Sequence, residues 1–223
     1  DISTRDVNDS DATGSGISVP FGSDAVFQAI STTPYAFDET DRELAELLAT
    51  HVGQAYGRLR AQADLTRRER VMTELHEAAP RLVDADSEDA LYELVVEIAQ
   101  RVLAFDRSCV YTVDSERFTM RATTDTDFPK EFPRGFGAME ASYTENRSFV
   151  IDDVTDHEFA ESHDGTPRAL LSVPFAGDAV FQAVTEPVGA FDDGDLEFAE
   201  LLTSYATATR ERIRSERALR HAR

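Results

Sequence analysis

The sequence contains very little lysine and cysteine and no tryptophan, and these scarcities restrict what the protein can be. Lys130 is its one lysine, so arginine supplies nearly all of the 22 basic residues, which face 43 acidic ones for a formal net charge of -21. This acidic excess repels phosphate backbones and anionic lipids, which argues against direct binding of nucleic acid or membranes. Because 41% of the residues are apolar, the chain can still bury a core. We therefore expect a folded protein adapted to concentrated salt, where screening removes the self-repulsion.

Two further absences bear on location. Cys109 is the single cysteine, so no intrachain disulfide can form and nothing indicates an oxidising compartment. No run approaches the roughly 20 consecutive apolar residues that a membrane helix requires, and no signal peptide is recognised at the start. We expect a cytoplasmic segment that makes no membrane contact of its own.

A duplicated segment dominates the organisation of the chain. Residues 18–48 align without gaps to residues 172–202, and 19 of the 31 positions are identical. A long patterned stretch precedes the second copy, whereas only a polar run precedes the first. The sequence therefore predicts the C-terminal half of a truncated domain in residues 1–60, a helical linker and first helix in residues 61–85, a complete domain in residues 71–215, and the start of a C-terminal linker helix in residues 216–223.

The spacing of apolar residues predicts an α+β fold, with a central antiparallel sheet and helices packed on one face. A helix is expected over residues 87–104 behind the capping candidates Asp86 and Ser87, and another from about residue 193. Alternating residues predict two hairpins, one around residues 109–120 and one around residues 170–184, with Pro174 at an edge or bulge. Between the hairpins, residues 125–168 are predicted to form loops and short helices.

A long helix is also predicted to join the two copies. No proline occurs between Asp38 and Pro80, and apolar residues recur at intervals of three and four along this stretch. Gly53 and Gly57 are the weakest points of that helix. An exposed apolar seam of such length needs a partner, so we expect a homodimer formed through the terminal helices.

Three stretches resemble GAF domains: LLSVPF, the helical segment EPVGAFDDGDLEFAELL, and the strand and loop NRSFVIDDVTDHEF. The resemblance implies a GAF-like, PAS-like sheet with long signalling helices at its ends. Tandem GAF units resemble the sensor regions of haloarchaeal histidine kinases and of bacterio-opsin-activator-like regulators, and scarce lysine is similar to haloarchaeal proteins in general. A signal-transduction module that binds a small molecule and relays its state to a kinase or transcription regulator is therefore expected. The alternative is a ligand-free GAF unit that only dimerises and spaces its neighbours.

GAF domains hold cyclic nucleotides, bilins, haem or small metabolites between the sheet and the variable insert. Here the corresponding surface would combine aromatic, methionine and polar side chains: Tyr111, Met120, Phe136, Met139, Tyr143, Phe149, Phe159, Ser172 and Gln182. Ordinary core packing is the competing interpretation for the aromatic and methionine members. The resemblance leaves the ligand and any cofactor unidentified.

Several specific ligands fit the sequence poorly. The cyclic-nucleotide signature of the family is only approximated by Asn146, Arg147, Phe149, Asp152 and Asp153, since arginine replaces the lysine and no glutamate follows. Covalent bilin attachment needs a cysteine in the insert, whereas Cys109 lies in a predicted strand. His157 and His163 stand among acidic residues but match no compact metal motif, so we expect a solvated loop and no metal site.

Catalysis has one precedent among GAF folds, the reduction of free methionine sulfoxide, which depends on several reactive cysteines. One thiol in a buried strand cannot both attack a substrate and resolve the intermediate. No Ser-His-Asp or paired-carboxylate arrangement is distinguishable from the acidic background. We therefore expect no enzymatic activity in this segment, although the longer protein could carry a histidine kinase.

Overall fold

The computed structural model describes residues 14–21, 25–135, 137–156 and 167–221, and the chain divides into two compact units between Arg67 and Arg68. The elements in chain order are β1 (Ser15–Phe21), β2 (Ala25–Ser31), α1 (Glu39–Val83), α2 (Glu88–Val102), β3 (Arg107–Val113), β4 (Arg117–Thr123), β5 (Glu131–Pro133), α3 (Gly137–Glu145), β6 (Phe149–Ile151), β7 (Ala169–Phe175), β8 (Ala179–Thr185) and α4 (Asp193–His221). None of the described helices is long and apolar enough to cross a membrane.

The first unit contains the antiparallel pair β1 and β2 and the beginning of α1. Ile17 and Val19 on one face of β1 form a small buried cluster with Ala45 and Ala49 of the helix. The helix starts at a reciprocal cap, in which the carboxylates of Asp38 and Asp41 each accept a hydrogen bond from the other's backbone N–H. Such caps satisfy N–H groups that the first helical turn leaves free.

The second unit is built on a six-stranded antiparallel sheet in the order β5-β4-β3-β8-β7-β6. Helices α2 and α4 cover one face, where Leu91, Val95 and Ile98 of α2 join Phe198 and Leu202 of α4 in the main core. Both predicted hairpins are confirmed, and so is the α+β class. This layered arrangement buries the apolar stripe of each helix against the apolar side of the sheet.

Helix α2 begins where the sequence predicted. The Ser87 side chain is the N-cap and accepts a hydrogen bond of 3.2 Å from the backbone N–H of Ala90. Pro174 was predicted to lie at an edge or a bulge, and it lies at a local edge, because β6 pairs only with residues 170–172 of β7 and Pro174 pairs with β8 alone. A proline there removes no hydrogen bond to β6.

The insert between the hairpins forms β5, α3 and β6, and α3 covers the sheet face opposite to α2 and α4. The long helix predicted between the two copies is also present: α1 runs without a break through Gly53 and Gly57 and includes Pro80 near its end. Pro80 has no N–H to donate to the carbonyl oxygen of His76 and its ring crowds that carbonyl, so the helix loses a hydrogen bond one turn before it ends. Short periodic signals thus predicted the long elements, but the prediction of loops and short helices for residues 125–168 missed β5 and β6, whose three residues each are too short to show alternation.

Candidate functional site

The sheet face beneath α3, called here the α3 face, gathers most of the predicted ligand residues. Alternation along β3 directs Cys109 and Tyr111 to this face, and they form a cluster with Phe118 of β4, Val180 of β8 and Met139 of α3. Partly buried side chains surround this cluster: Val113, Met120, Phe128, Phe132 and Tyr143. The face is therefore a mostly aromatic and methionine-containing layer between the sheet and a short helix.

A buried polar cluster interrupts this apolar layer. Ser142 of α3 donates a hydrogen bond from its Oγ to the Oγ of Ser172 at 2.8 Å, and Gln182 Nε2 approaches the same oxygen at 3.4 Å. Ser172 and Gln182 are direct partners on β7 and β8, and all three side chains are buried. Buried polar groups are costly unless hydrogen bonded, so this cluster attaches α3 to the middle of the sheet at a defined position.

Tyr111 anchors the aromatic part of the α3 face. Its hydroxyl donates a 2.6 Å hydrogen bond to the carbonyl oxygen of Pro129, and its ring meets Phe132 edge-on with centroids 5.4 Å apart. Burial raises the pKa of Tyr111 well above its usual value, so the phenol stays protonated and acts as a donor. Tyrosine thereby links the sheet to the segment before β5.

Two arginines lie at the rim of the α3 face. The Arg134 guanidinium stands 4.8 Å from the centroid of the Tyr143 ring and pairs with the carboxylate of Glu140, with Nη2 and Oε1 2.6 Å apart. Arg147 stands 4.4 Å from the centroid of the Phe149 ring. Arginine on an aromatic face combines charge attraction with packing, so both residues cover the outer edge of the layer.

The structure brings seven of the nine predicted ligand residues to this region: Tyr111, Met120, Met139 and Tyr143 in or against the cluster, Ser172 and Gln182 in the polar cluster, and Phe149 paired with Ser172. Phe136 and Phe159 lie outside the described residues. Sequence reasoning missed Ser142 and Phe118. The helical step of three from Met139 is the signal that could have identified Ser142, because residues three apart share a helix face.

Cys109 is fully buried in β3, as the alternation predicted. Burial raises the pKa of its thiol well above the usual value, so the reactive thiolate is suppressed at neutral pH.

The loop after β6 contains the acidic end of the approximate cyclic-nucleotide signature. There, the Asp153 carboxylate accepts hydrogen bonds from the Arg168 side chain and from the hydroxyl and backbone N–H of Thr155, all of which lower its pKa. This acidic residue is thus already engaged with neighbouring residues. His157 and His163 lie outside the described residues, so the prediction of a solvated loop stays a prediction.

An arginine cluster on α4 joins three other parts of the second unit. Arg210 is buried and its Nε lies 2.7 Å from Glu88 Oε2 at the start of α2, while its Nη1 contacts Asp178 and the carbonyl oxygen of Ala176 in the β7–β8 turn. Arg214 reaches the same two carboxylates. Burial alone raises the pKa of Glu88 and of Asp178, but the hydrogen bonds from the two arginines outweigh it and hold both below their usual values.

Arg212 extends this cluster to the end of α1. Its Nη2 donates hydrogen bonds to the carbonyl oxygens of Val83 at 2.9 Å and Ala85 at 2.7 Å. Carbonyl groups at a helix C-terminus lack partners within the helix, and an arginine satisfies them favourably. The last turn of α1, the start of α2 and the β7–β8 turn are therefore all bound to one stretch of α4.

A separate polar groove of about 220 Å³ lies on the opposite side of β7 from the polar cluster. It is lined by residues of α4 and β7 and by the segment after α3, including Asn146, Ser148, Pro174, Glu200 and Ser204. Its walls carry one carboxylate among hydroxyl and amide groups, and it is open to solvent.

A sequence profile described as the GAF domain matches residues 85–210. The chain belongs to the GAF domain family. Members of this family are sensory and regulatory modules, and the helices with a six-stranded antiparallel sheet are consistent with the GAF-like fold. No curated protein sequence matches the chain significantly.

Solved structures with the same fold are similar to this GAF protein. Free methionine-R-sulfoxide reductase from Neisseria meningitidis superposes with a TM-score of 0.61 at 18% identity, covering 66% of this chain and 91% of the reductase. The GAF domain of a phosphoenolpyruvate-protein phosphotransferase from Coxiella burnetii gives 0.59 at 14% identity, covering 68% and 98%. A segment of a methyl-accepting chemotaxis protein gives 0.54 at 18% identity, covering 64% and 98%. At these identities the likeness concerns the fold.

The reductase corrects one expectation from the sequence. We expected no enzymatic activity because the chain lacks a second cysteine, but a free methionine-R-sulfoxide reductase is among the structures similar to this one. The exclusion of catalysis was therefore wrong, because the count of cysteines was taken to rule out an enzyme, whereas a protein of the same fold is one.

Proposed function

We propose that the second unit of this GAF protein senses a small, uncharged, polar metabolite bound between the sheet and α3. The observation that carries this proposal is the buried cluster of Ser142, Ser172 and Gln182 within an otherwise apolar layer. Hydroxyl and amide groups both donate and accept hydrogen bonds. A ligand with matching groups can replace the contacts among these three side chains, and the aromatic layer can enclose its apolar part.

Binding at this position requires α3 to move. Met139 and Tyr111 fill the space beneath the helix, so a ligand enters only by displacing α3 or its side chains. A ligand shifts a conformational equilibrium only through a difference in affinity between two states. The ligand and the Ser142–Ser172 hydrogen bond compete for the same groups. The ligand would therefore bind more tightly to a state in which α3 is displaced than to the state described here.

The route from this site to the terminal helices runs along β7 and β8. These strands carry Ser172 and Gln182, and their connecting turn carries Asp178, which Arg210 of α4 holds. Arg212 of the same helix holds the end of α1. A shift of the hairpin would thus change the contacts of both terminal helices, which we propose lead to an output domain, either a histidine kinase or a transcription regulator.

Native mass spectrometry of protein purified from its natural source tests the sensing proposal. We expect a bound metabolite in the wild-type protein, and its readdition at a hundred times the Kd should stabilise the fold by about 2.7 kcal/mol, or roughly 5–10 °C in Tm. Ser142→Ala and Gln182→Met should lose the bound mass and the shift. Thr144→Ala, on the exposed side of α3, is the matched control and should keep both.

A ligand-free spacer is the second candidate, and the dense packing of the α3 face favours it. Tyr111, Phe118 and Met139 are each less than 2% exposed, as in an ordinary core. Refolding separates the two candidates. A sensor freed of its ligand by denaturation and dialysis should refold with a lower Tm than the protein as purified, whereas a spacer should recover its original Tm.

We also propose that the protein is a homodimer through its terminal helices and that the first unit is the C-terminal half of another GAF domain. The long, partly apolar α1 supports the first point, and the 19 identities between residues 18–48 and 172–202 support the second. A cytoplasmic location and adaptation to concentrated salt accord with the charge of -21. Sedimentation of the purified chain measures the oligomeric state directly.

A further inference from the structure

The polar groove beside β7 lies where the sheet has a short local edge. Strand β6 pairs with residues 170–172 of β7, so residues 173–175, which line the groove, pair with β8 alone. The segment after α3 supplies another wall, because Asn146 ends that helix in a left-handed conformation with a φ of 48° and Ser148 follows it. The groove measures about 220 Å³. Sites for drug-sized ligands measure roughly 300–1,000 Å³, so this groove suits a smaller molecule.

Two threonines of α4 turn hydrogen-bond acceptors toward a ligand in this groove. Thr203 donates its hydroxyl hydrogen to the carbonyl oxygen of Ala199 at 2.9 Å, and Thr207 donates to that of Thr203 at 2.8 Å. A hydroxyl group has one hydrogen and two lone pairs. Thr207 uses one lone pair for the backbone N–H of Ala176. Since both hydrogens are used within the helix, these two oxygens can only accept from a ligand.

Glu200 adds a carboxylate to the groove, and the duplicated segment of the first unit provides a comparison for it. The equivalent residue there is Glu46, whose Oε1 lies 2.6 Å from Nη1 of Arg42, one helical turn earlier. In the second unit Leu196 occupies the position of that arginine. Glu200 therefore lacks the partner that neutralises its counterpart, and its charge is available at the groove.

Two further differences between the copies add acceptors at the same place. Thr203 and Thr207 stand where the first unit has Ala49 and Gly53, whereas the β7 sequence VPF is the same in both copies. Core packing does not require the hydroxyl of Thr203, because Ala49 is equally buried at its own position. The second copy thus lacks one arginine and has two additional hydroxyl groups, and all three differences concern one groove.

We propose that the polar groove binds a small organic cation, a metabolite with one ammonium or guanidinium group. It is a second ligand site, separate from the one between the sheet and α3. Ammonium and guanidinium groups carry a positive charge and several N–H donors, which match one carboxylate among oxygen acceptors. The apolar VPF segment can contact the hydrocarbon part of the ligand. The net charge of -21 also raises the concentration of cations near the protein surface.

The basic residue next to this groove is already engaged elsewhere. Arg147 lies between Asn146 and Ser148 in the sequence, but its guanidinium stands 4.4 Å from the centroid of the Phe149 ring and 3.1 Å from the carboxylate of Glu145. The described lining of the groove includes its two neighbours and not Arg147 itself. Glu200 therefore keeps its carboxylate for a ligand.

An NMR titration of the isotope-labelled full chain with methylguanidinium chloride tests the proposal. The ionic strength is held constant, so that general screening does not change during the titration. The backbone amide signals of Asn146, Ser148 and residues 200–207 should shift and reach saturation. Methylurea is a neutral molecule of nearly the same shape. It should bind about tenfold more weakly or less, because hydrogen bonds to charged groups are the stronger ones.

Three variants assign the binding to the groove. Glu200→Gln removes the charge at constant size and should weaken methylguanidinium binding about fivefold to tenfold. Leu196→Arg restores the ion pair of the first unit and should abolish saturable binding. Glu197→Gln is the matched control, because it changes the net charge equally at an exposed position of α4 outside the groove lining. It should leave the affinity unchanged. Circular dichroism verifies folding of each variant.

Three results would overturn the inference. Equal shifts with methylurea would show that the groove does not recognise charge. Equal weakening by Glu200→Gln and Glu197→Gln would show that only the overall field attracts the probe. Signals that stay in place throughout the titration would show that nothing binds there. The sensing proposal is measured separately through Ser142→Ala and Gln182→Met, so either site can fail without the other.

Discussion

Arg210 illustrates how a single side chain can connect distant parts of the chain. It is buried, contacts Glu88 and Asp178, and stands 5.6 Å from the centroid of the Tyr92 ring. Burying a guanidinium requires that its charge and its N–H groups find partners. Two carboxylates and the carbonyl oxygen of Ala176 meet that requirement here, so the position is specific for arginine.

Replacing this residue tests its contribution to stability. Arg210→Met keeps much of the apolar volume but leaves Asp178 with Arg214 alone and Glu88 with the more exposed Arg214 and Arg217, so the free energy of unfolding should fall by about 3 kcal/mol. Urea denaturation measures the change. Arg117→Met removes an exposed pair with Glu131 and should cost less than about 1 kcal/mol. Equal losses in both variants would contradict a special role of burial at Arg210.

The start of helix α2 combines a local cap with long-range contacts. Ser87 caps the helix and Glu88 in the first turn accepts hydrogen bonds from Arg210 and Arg214 of α4. A negative charge is favourable near a helix N-terminus, where the helix dipole is positive. The start of α2 is therefore held both by its own sequence and by α4.

The cap can be tested without disturbing the arginine contacts. Ser87→Ala should lower the free energy of unfolding by about 1 kcal/mol, because the N–H of Ala90 loses its acceptor. Ser87→Asp keeps an accepting oxygen and should remain within a few tenths of a kcal/mol of the wild type. Thermal unfolding followed by circular dichroism measures both. If alanine and aspartate behave alike, the cap does not contribute at this position.

The net charge of -21 affects the stability of the whole molecule. Like charges repel over a Debye length of about 10 Å at 0.1 M salt, which shortens to about 3 Å at 1 M. The folded state brings these charges closer together than the unfolded chain does, so it gains most from screening. Concentrated salt should accordingly stabilise both the fold and any association of copies.

Raising KCl from about 0.1 M to about 2 M should stabilise the fold by at least about 1 kcal/mol, or roughly 2–4 °C in Tm for a domain of this size. Differential scanning calorimetry gives the values, and NaCl at equal ionic strength should act similarly because screening depends on ionic strength. A Tm that is constant or falls across this range would contradict adaptation to concentrated salt.

The regular elements were predictable because their signals are short-ranged. Ser87 marks the start of α2, alternation through Cys109 and Tyr111 marks β3, and the absence of proline before Pro80 predicted the length of α1. The candidate site was predictable only in part. Ser172 and Gln182 could be assigned to facing strands of one hairpin, but the contact of Ser172 with Ser142 spans 30 residues and depends on how α3 lies on the sheet.

The amino-acid sequence by itself determined the caps, the hairpins, the buried thiol of Cys109 and the duplication, since each depends on neighbours within a few residues or on direct comparison of two segments. Only the tertiary structure decided which copy is covered and which charges are buried. Leu48 and Leu202 occupy equivalent positions in the two duplicated segments, yet one is exposed and the other buried. Burial depends on which elements pack alongside, and that packing joins residues as distant as Glu88 and Arg210.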